Sequence, residues 1–195
     1  MTLQLGPDHE AAAWITGSDL PWRQLVSFGP SGFPAYARLR FISDPAYVGQ
    51  QEGDAGEIAG ERLQEAQQLQ RVLEMLKSPD CTSDRLFYCF WEGSWGHSFS
   101  GPTVDVPNRS YFLLRGDDAE LGEWRIANNN EPSLLRQVPI PALIWPADHS
   151  WCVANDVDPH WAGIGASIGA IRRLMDDPRL DVVLADPSLD QPAYR

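Results

Sequence analysis

Lysine is almost missing from this sequence: Lys77 stands alone, and every other basic side chain is arginine. Lysine and arginine together number 15 against 27 aspartates and glutamates, a formal net charge of −12. A chain so poor in positive charge repels phosphate backbones and anionic lipid, which argues against a nucleic-acid or membrane role. Cysteine is scarce too. The three, Cys81, Cys89 and Cys152, are odd in number and widely spaced, so they make neither a disulfide framework nor a CxxC metal pair. No stretch approaches the roughly 18–20 apolar residues of a membrane-spanning helix. The opening MTLQLGPDHEAAAWI has neither a basic segment nor a long apolar run, so no signal peptide is read there. These absences lead us to expect a soluble, cytoplasmic protein with reduced thiols.

What is present is an ordinary globular composition, 43% hydrophobic and 22% charged, in 195 residues. That length suits a single domain over 1–195 with a substantial core. Alternation of apolar and polar residues in FPAYARLRFI (33–42), after the turn Gly29-Pro30-Ser31-Gly32, predicts a half-buried strand. Leu63, Ala66, Leu69, Leu73 and Leu76 recur at helical spacing within 58–77, and Ser78-Pro79 stops that helix. LFYCFWEG (86–93) reads as a central strand buried on both faces. VDVPNRSYFLLRG (104–116) reads as a strand interrupted at Pro107-Asn108, then a strand from Tyr111 to Arg115, and 117–139 as irregular. PALIW, SWCVA and WAGIGA give three further strands, Ser167 caps a helix over 167–177, and LDVVLAD (180–186) closes the set. The expected fold is α+β: a mainly antiparallel sheet with one long and one shorter helix packed on it.

Four blocks carry a resemblance. Phe33-Pro34-Ala35-Tyr36-Ala37-Arg38, Thr82-Ser83-Asp84-Arg85 running on to Phe90-Trp91-Glu92-Gly93, Pro107-Asn108-Arg109-Ser110-Tyr111, and Trp145-Pro146-Ala147-Asp148 through Ser150-Trp151-Cys152-Val153-Ala154 together resemble a family of uncharacterised proteins from GC-rich bacteria. The likeness runs from about residue 21 to 185, and its tryptophan-rich block is the most specific part. It implies one compact cytoplasmic bacterial domain, and it carries over neither an activity nor a functional residue.

The densest collection of chemically capable side chains is WPADHSWCVANDVDPHW (145–161). On one reading Asp156, Asp158 and His160 share a strand face, with Asp148 and His149 from the preceding loop, and form a ligand-contacting or hard-metal cluster. On the other, Asn155-Asp156-Val157-Asp158-Pro159 is turn chemistry between two strands, its carboxylates capping backbone amides. The spacing matches no metal signature, and the turn is the preferred reading. Trp145 is read as core, with a groove-lining role as the alternative. Glu92 and His97 flank a glycine-containing loop after a central strand, where active-site groups often lie. Gly163-Ile164-Gly165 before a helix lacks a phosphate-loop lysine and reads as close packing. Cys152 reads as a buried thiol, with a Cys/His pair using His149 or His160 as the alternative. The candidate binding residues are therefore Trp145, Asp148, His149, Asp156, Asp158, His160, Glu92 and His97, with no catalytic set, metal or cofactor assigned. Two functions stay open: a non-enzymatic binding or interaction module, for example of immunity type, with a basic protein partner, or a carboxylate- and histidine-dependent hydrolase-like enzyme using 145–161. The sequence does not fix the oligomeric state.

Overall fold

The computed structural model describes residues 2–5, 9–55, 63–77, 85–94, 103–116, 125–127, 139–156 and 159–195. The fold is α+β. Its sheet contains β1 (Thr2–Leu5), β2 (Ala35–Arg40), β3 (Leu86–Trp91), β4 (Thr103–Val106), β5 (Arg109–Gly116), β6 (Arg125–Ala127), β7 (Leu143–Pro146), β8 (Cys152–Ala154), β9 (Trp161–Ala166) and β10 (Val182–Leu184). The spatial order is β10-β2-β9-β8-β7-β3-β5-β1-β6, with β4 also on β5. The β1–β6 pair is parallel and the other pairs described are antiparallel.

Side chains in the central strands alternate between two cores, as the period of a strand requires. Leu86, Tyr88 and Phe90 of β3 join one hydrophobic cluster, while Phe87 and Cys89 join the other. Both faces are covered, which is why LFYCFW reads as a continuous apolar run. On the first face lie α3 (Glu65–Leu76) and α4 (Ile168–Asp176). Leu69, Val72, Leu73 and Leu76 of α3 are buried there with Ile171 and Leu174 of α4. The helix expected over 58–77 begins at Glu65; 58–62 lie outside the described residues. Its start is fixed locally, because the Gln64 N–H donates to Gln67 Oε1 at 2.9 Å. Ser167 caps α4 as expected, its Oγ accepting from the Ala170 N–H at 3.2 Å.

The second face is covered by α1 (Ala13–Thr16) and α2 (Trp22–Phe28), which the periodicity did not announce. They bury Ile15, Leu25 and Val26 against Cys89, Leu143, Trp145 and Cys152. Gly163 permits the approach of α2, since a Cβ there would strike the Ser27 carbonyl oxygen. The strand expected to break at Pro107-Asn108 and the strand expected over 111–115 are the two arms of a hairpin. Val106 pairs with Arg109 across Pro107-Asn108, and Asn108 takes φ 67°. Proline followed by a residue of positive φ is the pairing a type II turn requires. No described helix is long and apolar enough to cross a membrane.

Candidate functional site

The β8–β9 connection leaves β8 at Ala154 and enters β9 at Trp161, and the two strands pair antiparallel with Ala154 opposite Gly163. A loop between two strands is therefore present, and among the described residues the partner of Asp156 in it is a side chain rather than a backbone amide. It is buried and accepts a two-point bond from Arg109: Nε to Oδ1 at 3.1 Å and Nη2 to Oδ2 at 3.1 Å. Arg109 begins β5, so the pair ties two segments 47 residues apart. The guanidinium also lies near the Trp22 ring (5.6 Å) and the Trp91 ring (5.7 Å). A planar, delocalised cation suits this double duty of fork bonding and stacking. Beside it, the Tyr111 hydroxyl is buried with no hydrogen-bond partner among the described residues. Burial, and then the nearby Asp156 charge, raise its pKa.

His160 is buried at the other end of the loop, its Nε2 3.1 Å from Asp44 Oδ1. Asp44 follows β2 and gathers several cationic partners. Arg38 approaches both its oxygens (2.6 and 3.0 Å), and Arg40 donates to Oδ2 at 3.0 Å while also holding Asp181 at 2.7 Å. Burial resists ionisation of Asp44, but the bonds from Arg38, His160 and Arg40 overcome it and pull its pKa down to about 2. Tyr194 completes the surroundings, edge-on to His160 at 4.8 Å with its hydroxyl donating to the Ser43 carbonyl at 2.6 Å.

The remaining candidates are dispersed. Trp145 is fully buried, stacked on Phe87 at 5.6 Å, and its indole N–H has no hydrogen-bond partner among the described residues. Asp148 is exposed, and its Oδ1 accepts the Ser150 N–H at 3.0 Å. His149 takes φ 54° in the β7–β8 turn and stacks on Trp14 at 4.1 Å. Partial burial lowers its pKa, opposed by Asp148. Glu92 is exposed in the short helical turn after β3. Asp158, His97 and Cys81 lie outside the described residues. Cys152 is fully buried, and burial raises its thiol pKa, the wrong direction for a nucleophile. Among the described residues no three His, Cys, Asp or Glu side chains are grouped so as to hold a metal ion.

Two clefts meet at Asp156 and Pro159. The larger, about 800 Å³, runs between α2, Trp161 and the segment from Pro187 to Ala193. The smaller, about 520 Å³, is bounded by Phe41 and Ile42 after β2, Glu52, Glu65 at the start of α3, Ile140, Asn155 and His160. Arg109, Trp22, Trp91, Asp44 and Glu65, which position or line this region, were not singled out from sequence. Arg109 stood in a quoted block, but nothing local to it points to Asp156. No family model, curated protein or solved structure matches this chain.

Proposed function

We propose that this chain is a non-enzymatic binding or protein-interaction module, of immunity type in its simplest form, that engages a basic protein partner. One observation carries the reading. The two buried candidates of the β8–β9 loop are each held by a separate partner, Asp156 in an ion pair with Arg109 and His160 against the Asp44 carboxylate at 3.1 Å. A general acid–base pair needs its members within reach of one reacting atom. Here each is instead committed to its own structural partner, and Asp148 and His149 sit apart in another turn. The net charge of −12 steers a basic partner and repels polyanions. We also assign the chain to the cytoplasm and to the bacterial family it resembles, an assignment that the unpaired, buried thiols of Cys89 and Cys152 suit.

The test is calorimetric titration with an arginine- and lysine-rich peptide and with its glutamate-rich counterpart, at low and high salt. Alongside it, purified protein is offered chromogenic ester and phosphoester substrates. Salt-sensitive binding of the basic peptide alone, with no turnover above background, is expected. Turnover that Asp156→Asn or His160→Gln abolishes in a folded protein would sink the reading in favour of an enzyme.

A further inference from the structure

The smaller cleft has an unusual chemical bias. Its lining includes the apolar side chains of Phe41, Ile42 and Ile140, and no lysine or arginine is among its described lining residues. Its polar groups are acceptors in excess. Asn155 is buried, and its Nδ2 donates to Glu65 Oε1 at 3.3 Å, which fixes which way the amide points. Asn155 Oδ1 and Glu65 Oε2, left on the other side of that bond, accept no hydrogen bond among the described residues. Glu52 has no ion-pair partner among them either. His160 also lines the cleft, its Nε2 3.1 Å from Asp44 Oδ1.

Resting on the interaction-module reading above, we propose that this cleft is a pocket for one arginine side chain presented by the basic partner. A lining that combines apolar side chains with acceptors matches an apolar stem that ends in a planar fork of five N–H donors. Glu65 and Asn155, already joined, offer adjacent acceptors to such a fork, and Glu65 and Glu52 supply the charge. A lysine ammonium concentrates its three donors on one nitrogen and lacks the planar fork that a guanidinium presents to Glu65 and Asn155.

The experiment is an amide-resolved NMR titration of the full chain with the blocked tripeptide acetyl-Leu-Arg-Leu-amide, its citrulline counterpart and its lysine counterpart. Shifts are expected at Ile42, Glu65, Asn155 and His160. Citrulline keeps the shape and loses the charge, and it should weaken binding by about tenfold or more. Glu65→Gln should weaken the arginine peptide by about tenfold, whereas Glu74→Gln should change it by less than about twofold. Glu74 lies exposed on the same helix in a pair with Arg71, so its neutralisation changes net charge equally without touching the cleft. Equal binding of arginine and citrulline peptides, equal binding of the lysine peptide, or equal effects of the two glutamine variants would overturn the arginine pocket. In any of those cases the interaction-module reading survives if the longer basic peptide still binds. Failure of every basic probe would overturn both.

Discussion

Replacing Asp156 by asparagine removes one formal charge from a pair whose side chains are only 7% and 14% exposed, and it leaves the shape nearly unchanged. Stripping one partner from a buried ion pair costs about 3–5 kcal/mol when the other charge is stranded. Arg109 is not wholly stranded, because it keeps its places near Trp22 and Trp91 and its bond to the Asn108 carbonyl at 3.2 Å. An asparagine can also accept one of the two guanidinium bonds, but its amide N–H then faces a second donor. The expected loss is therefore about 2–3 kcal/mol. For a chain of this length each kcal/mol lowers Tm by about 2–4 °C, so the melting point should fall by about 4–12 °C. Urea unfolding followed by tryptophan fluorescence measures the first figure. A double-mutant cycle with Arg109→Gln isolates the pair, with an expected coupling above about 1.5 kcal/mol. A loss under about 0.5 kcal/mol, or additive single effects, would refute the assignment and restore a turn whose carboxylate serves only backbone amides.

Other consequences are open to simpler measurements. Leu69→Ala or Leu73→Ala, at 0% and 1% exposure in the α3 face, should each cost about 2–5 kcal/mol in urea unfolding; losses below about 1 kcal/mol would mean that this face is not packed. Asp44 titrates at about 2 when folded against 3.8 as a free group, a depressed value, so its contribution is fully present above pH 3.8 and is lost as pH falls through about 2. That contribution is about 2 kcal/mol at most, and about 1 after discounting for solvent screening at 22% exposure. Asp44→Asn should flatten the acid limb of the stability profile accordingly, and an unchanged limb would count against the network. In a Cys81→Ser background, the thiols of Cys89 and Cys152 should stay silent to a thiol reagent until denaturant is added, since both are fully buried; native-state labelling of either would contradict their placement.

Elements with a strong local signal were readable from the sequence. WAGIGA needs no long-range information to be a strand, and Ser167 announces the following helix through its own hydroxyl. The central run Leu86–Trp91 declared its double burial by composition alone. The two short helices of the second face gave no such signal. They are 4 and 7 residues long, and their N-caps, Ala12 and Pro21, make no side-chain cap bond. The candidate site was harder still. Asn, Asp and Pro in 155–159 are locally indistinguishable from turn residues, and what separates Asp156 from a turn cap is an arginine 47 positions earlier. Asp44 and His160 are related in the same way across 116 positions. Local patterns encode which residues are buried; which charges meet depends on strand order, and strand order is set by the whole chain.

The place of β2 in that order has a consequence in time. Both of its neighbours, β9 and β10, come from residues 161–184, so strand 35–40 must wait for almost the whole chain before either edge is paired. At about 5–20 residues per second of synthesis, that interval is about 6–30 seconds on the ribosome. Throughout it an alternating apolar strand is exposed with both of its hydrogen-bonding edges open. Chains arrested before residue 161 should accordingly leave 35–40 accessible to protease and to chaperones, and chains extended past residue 184 should protect it. If arrested chains already protected 35–40, the strand would have found a temporary partner among the residues made before β9.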